Sequence, residues 1–455
     1  MIKKILIANR GEIAVRIIRA CKELGIETVA VYSTADENAL HVQLATEAVC
    51  IGGPKAKDSY LNMQNVLSAA CLTGCDAIHP GFGFLSENAA FARLVQKCGL
   101  IFIGPRPEVI EKMGDKAAAR KLMIQSKVSV VPGSTGVVST PSEGKKIAVE
   151  IGYPVLIKAS AGGGGKGMRI ATSNEDFEAM FYAAKSEAKN AFGDDSVYVE
   201  KLIENPKHIE VQILGDKYGN IIHLYERDCS MQRRKQKMLE EAPCFSITES
   251  VRKAIIDDAV KAAKAAKYDS AGTVEFVLDK NNKHYFIEMN TRIQVEHPIT
   301  EMITGVDIEK QQIRIADKQP LTIKQEDVKK TGFAIECRIN AEDIRNNFMP
   351  SLGKITFFHT PGGKGVRIDS AIYTGCEISP FYDSMILKVI AFAQTRLECI
   401  RKMRAALEEL IVDGVKTNLE LQYMILHHPL FVEGNYDTSF IEGFLKGLEE
   451  SGEFI

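Results

Sequence analysis

The first 114 residues alternate between short apolar runs and segments with helical periodicity. The run KKILIAN is followed by a segment in which Ile13, Ile17 and Cys21 recur at helical spacing, and a second apolar run follows Gly25. This order predicts a strand, a helix and a strand of a parallel sheet. The pieces CDAIHPG and LIFIGP predict further strands, with a helix in SENAAFARLVQKCG between them. We therefore expect an α/β domain over residues 1–114.

The pattern changes after this first domain. A helix rich in Lys and Ala is expected around Lys116, a stretch rich in Pro, Gly, Ser and Thr follows, and strands then outnumber helices. The segment KQPLTIKQEDVKKTG near 318–332 is typical of a connector, and TRLECIRKMRAALEELI predicts a long amphipathic helix. We expect a second domain over residues 115–330 and a third over 331–455.

A run of glycines interrupts the second domain at residues 158–170, KASAGGGGKGMRI. It contains GxGxxG, but a dinucleotide site needs a helix directly afterwards, whereas MRIATS alternates and helical periodicity resumes only at Phe177. The run is not a P-loop either, because Lys166 is followed by Gly167 and not by Ser or Thr. Two interpretations remain: an exposed hairpin, or a loop between two strands whose N–H groups cover phosphates while Lys158 adds charge.

Polar residues alternate with apolar ones in FIEMNTRIQVEHPITE, residues 286–301. If the segment is extended, the polar side chains share one face, because strand side chains alternate with period two. The preceding run TVEFVL, 273–278, is joined to it by DKNNK, and a two-residue turn at Asn281–Asn282 would suit the positive φ that asparagine tolerates. In that register Glu275 lies opposite Glu288. The residues expected on the shared face are Glu288, Asn290, Arg292, Gln294 and Glu296.

Two opposed carboxylates repel one another unless a cation lies between them. Carboxylate oxygens with the Asn290 carbonyl suit Mg²⁺ or Mn²⁺, held jointly with substrate phosphates. Beside this metal end, Arg292 and Gln294 are donors for a small oxyanion, and Glu296 is a candidate general base. The alternative is an exposed polar strand face without chemistry.

Composition excludes several classes of function. With 57 basic and 59 acidic residues the net charge is −2, so nucleic acid is not expected as a main partner. Among ten cysteines the one close pair, Cys71 and Cys75, has no second pair nearby, which argues against a zinc site. The opening MIKKILIANR is too short in apolar residues for a signal peptide, and no run reaches the ~20 apolar residues of a membrane span. We expect a cytoplasmic protein with reduced thiols and no membrane partner.

Eight segments together resemble the biotin carboxylase family of ATP-grasp enzymes, in that family's order and spacing. They are IANRGEIAVRIIRA, HPGFGFLSENA, GDK at 114–116, the glycine run, RDCSMQRRKQKMLEEAP, FIEMNTRIQVEHPITE, ECRINAED and FYDSMILK. The resemblance implies a three-part α/β and α+β architecture. Its parts are an N-terminal domain with a Rossmann-like parallel sheet, a central ATP-grasp domain with a mobile lid at about 131–203, and a C-terminal mixed domain that completes the active site.

The resemblance also implies roles for single residues. It assigns ATP binding to Lys116, Lys158, Gly162, Gly163, Gly164, Gly165, Gly167, Met168, Glu200, Lys201, Ile203, His208 and Gln232. It assigns metal binding to Glu275, Glu288 and Asn290, and the bicarbonate pocket to Lys237, Arg292, Gln294, Val295 and Glu296. Glu296 is then the general base, Arg338 supports the reacting biotin, and Lys237 and Arg292 belong to the catalytic set. Three positions depart mildly from the family pattern: Ala161, Lys166 and Lys235.

The implied reaction is the carboxylation of biotin with ATP, bicarbonate and Mg²⁺ or Mn²⁺, through carboxyphosphate. No AMKM-like biotin-attachment sequence occurs in the 455 residues, so biotin is expected as a substrate on a separate biotin carboxyl carrier protein, with separate carboxyltransferase subunits. A homodimer is expected by resemblance. The expected setting is bacterial acetyl-CoA carboxylase and fatty-acid synthesis, with a two-subunit pyruvate carboxylase or another acyl-CoA carboxylase as the alternative.

Two further interpretations differ from this reaction. One is another ATP-grasp ligase, which uses an amino acid or a purine precursor. The other is a catalytically silent regulator that binds nucleotide or a carrier domain. The complete set of acid, metal-binding and arginine residues argues against a silent protein, because binding alone has no need of Glu296 beside Arg292.

Overall fold

A computed structural model describes residues 1–160 and 167–452 of the chain. Its N-terminal part is a five-stranded parallel sheet of strand order β3-β2-β1-β4-β5, which confirms the predicted strand–helix–strand unit. The strands are β1 Lys4–Ile7, β2 Glu27–Ser33, β3 Glu47–Gly52, β4 Ala77–His79 and β5 Ile101–Phe102. The helices are α1 Gly11–Glu23, α2 Leu40–Leu44, α3 Met63–Leu72, α4 Ala89–Lys97 and α5 Pro107–Gly114, with 3₁₀ turns at Thr34–Asp36 and Ala56–Asp58.

A three-stranded antiparallel sheet of order β7-β6-β8 follows, and two of its strands flank the glycine run. The prediction that the run joins two strands is therefore confirmed, although residues 161–166 themselves lie outside the described part of the chain. Phe177 and Phe181 anchor a helix against this sheet in a small separate core. The elements are α6 Lys116–Gln125, α7 Pro141–Ile151, β6 Val155–Ala159, β7 Met168–Ala171, α8 Phe177–Phe192 and β8 Val197–Lys201.

The largest element is an eight-stranded sheet of order β13-β12-β9-β10-β11-β14-β21-β19, which takes strands from both sides of residue 330. Its first six strands in the chain are β9 Lys207–Gly215, β10 Ile221–Arg233, β11 Gln236–Ala242, β12 Ala271–Leu278, β13 His284–Asn290 and β14 Phe333–Asn340. The helices of this region are α9 Glu249–Ala266, α10 His297–Thr304 and α11 Ile308–Ala316. The connector before β14 contains the 3₁₀ turn Gln325–Asp327.

The C-terminal part completes that sheet with β21 and β19 and packs helices on it. The expected long helix is α12, which starts with a capping box between Thr395 and Glu398. The strands are β15 Glu342–Asp343, β16 Met349–Pro350, β17 Gly353–Lys354, β18 Phe357–His359, β19 Val366–Ser370, β20 Glu377–Ile378, β21 Met385–Ala393 and β22 Ile411–Asp413. The helices are α12 Arg396–Glu409, α13 Leu419–His427, α14 Pro429–Glu433 and α15 Phe440–Ser451. Among all described helices, none combines the length and apolarity of a membrane span.

The two faces of the large sheet differ in chemistry, because its strands alternate in sequence. On β14, Ile335, Cys337 and Ile339 enter the apolar core beneath α12. Glu336 and Arg338 project from the opposite face. The helices thus cover one face with hydrocarbon and leave the other face for buried charge.

The N-terminal and C-terminal parts are joined through Tyr382. The guanidinium of Arg10 lies 4.0 Å from the centroid of the Tyr382 ring and forms two hydrogen bonds with Asp36. The Tyr60 hydroxyl donates to the same carboxylate at 2.6 Å. These contacts hold the loop after β1 next to Tyr382 of the C-terminal part.

Among the described residues Arg227 is the largest fully buried side chain, and it links three strands and one helix. Its guanidinium donates to Glu210 at 2.5 Å and to Gln212, Thr273 and Thr300 at 2.8–3.1 Å. Because all these partners are buried, the arginine and Glu210 neutralise one another at positions without solvent exposure.

Replacing Arg227 with Met should therefore be strongly destabilising. Breaking a buried pair costs about 3–5 kcal/mol, because the remaining Glu210 carboxylate is left without its cation. We expect a drop of many degrees in the melting temperature measured by calorimetry. Arg169→Met is the matched control, since its pair with Glu187 is more than a third exposed and is worth less than about 1 kcal/mol. Equal melting temperatures for the two variants would contradict the structural role of Arg227.

Candidate active site

A cavity of about 1310 Å³ opens where the three parts of the chain meet. The N-terminal part contributes the loop after β1 and residues 82–84, and the C-terminal part contributes Arg338, Asn340 and residues 381–385. The floor is the charged face of the large sheet, where strands β9 to β14 present the residues predicted from sequence. This cavity brings together every described residue to which a site role was assigned, apart from Gly167.

The two carboxylates predicted to oppose one another do so: Glu275 pairs with Glu288 across β12 and β13. The predicted two-residue turn at Asn281–Asn282 is wrong. The hairpin closes through residues 280–282, and of these Asn282 has a left-handed φ of +61°. The extra turn residue shifts the register by one position, and a bulge beside Glu275 shifts it back. The two carboxylates face each other because the extra turn residue and the bulge have opposite effects on the register.

The extended conformation expected over 286–301 ends early. Strand β13 stops at Asn290, residues 291–296 form turns, and α10 begins at His297. The prediction of one continuous strand face is thus wrong beyond Asn290. The turns nevertheless carry Arg292, Gln294 and Glu296 back over the same cavity, because the chain folds onto the sheet instead of running along it.

The ammonium group of Lys237 lies among three buried carboxylates. Its Nζ is 2.6 Å from Glu210, 2.6 Å from Glu296 and 3.3 Å from Glu275. Burial alone would raise the pKa of Glu275 and Glu296, but the cations around them, Lys237 first, hold both pKa values well below the ordinary value. Burial would lower the pKa of Lys237, and the surrounding acids raise it instead. Both glutamates are therefore ionised at neutral pH.

Arg338 contacts Glu296 from the other side. Its Nη2 donates to Glu296 Oε2 at 2.8 Å and also lies against Glu240. Glu296 therefore sits between the cations Lys237 and Arg338. A carboxylate placed in this way can accept a proton from a ligand that enters the cavity, while the two cations hold that ligand's negative charge.

Arg292 is oriented by Glu87 of the N-terminal part. Its Nε donates to Glu87 at 2.8 Å, and its Nη atoms donate to Gln294 at 2.9 Å and to Asn290 at 3.2 Å. The amides of Asn290 and Gln294 in turn donate to Glu275 at 2.8 and 2.9 Å. The guanidinium is thus fixed beside the predicted metal residues as a planar donor for a small oxyanion.

The two lysines assigned to phosphate each contact a carboxylate in this structure. Lys116 Nζ is 2.5 Å from Glu288, and Lys158 Nζ is 2.8 Å from Glu200. Burial alone would lower the pKa of Lys158, but Glu200 and Tyr198 raise it. Lys158 is therefore charged, and both lysines lie along one wall of the cavity.

The other residues assigned to ATP are spread around the same wall. Ile203, His208 and Gln232 line the cavity, and the His208 ring lies 3.0 Å from Glu275. Lys201 donates to the carbonyls of Gly152 and Tyr153 at 3.0 and 2.8 Å. Met168 also lines the cavity, with its sulfur 3.2 Å from Lys235.

Gly167 has φ +69°, and a Cβ there would approach Ala159 to 2.7 Å. The predicted residues Gly162, Gly163, Gly164 and Gly165, with Ala161 and Lys166, lie outside the described residues.

The donor set at the hairpin fits a hard divalent cation. Glu275 and Glu288 supply carboxylate oxygens, and their opposition needs a positive charge. In this structure Lys116 and Lys237 supply it. Asn290 turns its amide N–H to Glu275, so its carbonyl would have to rotate to act as a ligand.

Sequence reasoning missed four residues that hold the site in place. Glu210 supports Lys237, Glu87 supports Arg292, Glu240 contacts Arg338, and Lys388 donates to the Val295 carbonyl at 2.7 Å. One signal for Glu210 was present, since His208, Glu210 and Gln212 alternate with three aliphatic residues along β9. The contacts of Glu87 and Lys388 depend on distant parts of the chain, and no local pattern reports them.

Family comparisons match nearly the whole chain. The family "Biotin carboxylase, N-terminal domain" matches residues 1–110, "Carbamoyl-phosphate synthase L chain, ATP binding domain" matches 115–324, and "Biotin carboxylase C-terminal domain" matches 336–443. Biotin carboxylase 1 of Bacillus subtilis is 56% identical over 98% of this chain and 99% of its own length. The 2-oxoglutarate carboxylase small subunit of Hydrogenobacter thermophilus is 52% identical over 97% of this chain and 93% of its own.

Solved structures agree with these matches. A biotin carboxylase β-γ-ATP complex from Campylobacter jejuni is 48% identical, with a TM-score of 0.95 over 97% of this chain and 99% of that one. The biotin carboxylase domain dimer of the Hydrogenobacter thermophilus 2-oxoglutarate carboxylase, with MgADP, ADP and bicarbonate, is 51% identical, with a TM-score of 0.93 over 100% and 98%. The biotin carboxylase subunit of a pyruvate carboxylase is 53% identical, with a TM-score of 0.84 over 100% and 99%.

The opposed hairpin carboxylates give a direct test. Glu288→Lys places a cation where a divalent metal would bind, so metal-dependent ATP hydrolysis should fall by about a hundredfold or more. The melting temperature should change little, because the Glu288 side chain is 30% exposed and its pair with Lys116 contributes less than about 1 kcal/mol. Glu204→Lys, an exposed charge reversal nearby, is the control. Full metal-dependent turnover in a folded Glu288→Lys protein would refute the metal assignment.

Proposed function

The chain belongs to the biotin carboxylase family of ligases, and from that premise we propose that it carboxylates biotin on a separate carrier protein as the first half-reaction of acetyl-CoA carboxylase. The observation that carries the proposal is the meeting, in one cavity, of the opposed pair Glu275 and Glu288, the Lys237–Glu296 contact, and Arg338. Each of these features alone occurs in many enzymes. Together they form one site in which the glutamate pair serves ATP phosphates and metal, the Lys237–Glu296 contact serves bicarbonate, and Arg338 serves biotin.

ATP binds with its phosphates along the wall formed by Lys116 and Lys158. Glu275 and Glu288, with Asn290, would hold Mg²⁺ or Mn²⁺ there, and the ion supplies charge neutralisation for the transferring phosphoryl group. The adenine end lies toward Glu200, Lys201, Ile203 and His208, which border the same cavity. The family resemblance also assigns phosphate binding to Gly162, Gly163, Gly164 and Gly165, which lie outside the described residues.

Bicarbonate lies between Lys237, Arg292, Gln294 and Val295, and Glu296 removes its proton. The proton moves from the bicarbonate hydroxyl to the Glu296 carboxylate, and the dianion attacks the γ-phosphorus to give carboxyphosphate and ADP. The strong cations beside Glu296 keep it ionised before this step, and they also favour the doubly charged nucleophile. In the family mechanism carboxyphosphate then yields CO₂ and phosphate. The phosphate takes the biotin N1′ proton, and Arg338 stabilises the enolate that captures CO₂.

The partners proposed are a biotin carboxyl carrier protein and carboxyltransferase subunits, with a second copy of the chain in a homodimer. Two facts support this arrangement. A relative carries the name of a carboxylase small subunit. A similar solved structure is described as a domain dimer.

A second acceptor is favoured by specific observations. The chain is 52% identical to a 2-oxoglutarate carboxylase small subunit and 53% identical to a pyruvate carboxylase subunit, which is close to its likeness to biotin carboxylase 1. The transferase selects the final acceptor, and the same biotin half-reaction serves each system. The alternative is therefore a two-subunit carboxylase of a 2-oxo acid or of another acyl-CoA.

The division of labour is tested with the purified chain and its native complex. With ATP, Mg²⁺, labelled bicarbonate and a biotinylated carrier domain, label should appear on the carrier's biotin, and this chain should carry no covalent biotin. The chain alone should not carboxylate an acyl-CoA or a 2-oxo acid. Identification of the transferase that co-purifies decides the acceptor, and covalent biotin on this polypeptide would overturn the proposal.

The bicarbonate pocket is tested through Lys237. Lys237→Met should lower bicarbonate-dependent ATP hydrolysis by about 10²–10³-fold, because the cation no longer balances the bicarbonate dianion or Glu296. The KM for ATP should change much less. Removal of the ammonium group leaves buried carboxylates without a cation, which also destabilises the fold. Lys237→Arg is therefore measured as well, because it keeps the positive charge but changes its position. Lys283→Met, on the exposed hairpin turn, is the control, and normal hydrolysis by folded Lys237→Met would refute the pocket.

A further inference from the structure

Another pair of opposed carboxylates lies behind the cavity, on the same face of the large sheet. Glu240 on β11 pairs with Glu336 on β14, and both side chains have zero exposure. Directly opposed residues of an antiparallel pair have Cβ atoms about 4.5–5.5 Å apart. Neither residue lines the cavity, so substrates do not contact them.

Glu336 lacks a partner in the described part of the chain. No nitrogen of Lys, Arg or His there lies within 4.0 Å of its carboxyl oxygens, and neither oxygen has a hydrogen bond. Lys388, the cation on the next strand, instead contacts Glu12 at 3.1 Å and the Val295 carbonyl at 2.7 Å. A buried carboxylate without a cation or donors costs several kcal/mol, and such a group protonates instead.

The charges around Arg338 also favour a neutral Glu336, because Arg338 already balances two carboxylates. Its Nη2 contacts Glu240 and Glu296, so those two carboxylates already share one guanidinium. An ionised Glu336, two residues along the strand, would add a third negative charge to the same buried face. The other cations near the pair are Lys237 and Lys388. Around Lys388 lie Glu12 on α1, His297 on α10, and Asp369 with its partner Arg367 on β19.

We propose that Glu240 and Glu336 hold one proton between them, carried by Glu336 at neutral pH, and that this neutral carboxyl is a positioning element for Arg338. With Glu336 neutral, Arg338 is balanced by Glu240 behind it and by Glu296 in the cavity. Its guanidinium is then held toward the cavity. Ionisation of Glu336 would pull the guanidinium toward the sheet and away from the place assigned to biotin.

The pair also imposes a direction on the pH dependence of stability. Burial raises the pKa of Glu336 well above its ordinary value, and burial with a partial offset from Arg338 raises the pKa of Glu240 from 4.5 to about 7. At this pair the folded protein therefore binds more protons than the unfolded chain above pH 4.5, and the pair's contribution to stability declines as pH rises through the folded values. Removing the proton site at 336 should make that decline shallower.

Glu336→Gln tests the proposal, because glutamine reproduces a neutral carboxyl of the same shape. Infrared spectroscopy of the wild-type protein at neutral pH should show a protonated-carboxyl band that Glu336→Gln lacks. The melting temperature of the variant should fall less steeply with pH than that of the wild type. Glu241→Gln is the matched control: this glutamate is buried on β11 next to Glu240 but faces the other way and pairs with Arg396 at 2.7 Å. It should leave the band in place.

Activity adds a third measurement, which rests on the proposed function. Glu240→Gln removes the charge behind Arg338, so biotin carboxylation should fall roughly tenfold or more through misplacement of the guanidinium. Bicarbonate-dependent ATP hydrolysis should fall less. Absence of the infrared band in the wild type, or its persistence in Glu336→Gln, would overturn the shared proton whatever the substrate. Equal losses of both activities in Glu240→Gln would overturn the positioning role alone.

Discussion

The ammonium group of Lys237 holds together a set of charges that could not otherwise be buried. Glu210, Glu275 and Glu296 come from different elements, and at these buried positions each would repel the others. Arg227 neutralises the far side of Glu210. Since an isolated buried charge costs several kcal/mol, these residues are tolerable only as a group. The geometry of the site is therefore a requirement of folding as well as of chemistry.

The large sheet makes this arrangement possible by separating its two faces. Alternation along β14 sends Ile335 and Cys337 into the core under α12, while Glu336 and Arg338 join the charged face. The large sheet contains strands from before and after residue 330. Arg338 near the biotin end and Glu275 and Glu288 near the metal end therefore lie on one continuous sheet. Sites built on strands hold their residues more precisely than sites on loops.

Sequence predicted the local pieces of this structure well and the long-range pieces poorly. The strand–helix–strand start, the two strands around the glycine run and α12 follow from periodicity, which is a local property. The opposition of Glu275 and Glu288 was predicted by simple counting, although the turn is one residue longer and a bulge restores the register. The fold of 291–296 was not predictable from alternation. Nor was the contact of Glu87 with Arg292, because it joins segments about 200 residues apart.

The pairs Lys116–Glu288 and Lys158–Glu200 have a consequence for the end of the catalytic cycle. A triphosphate must compete with these carboxylates for the lysines, so its net affinity is smaller than the direct contacts would suggest. When ADP leaves, each lysine pairs with its carboxylate again, so neither ammonium group remains unpaired in the cavity. These pairs therefore lower the affinity of the protein for its product, ADP. Weaker binding of the product favours its release and so favours turnover.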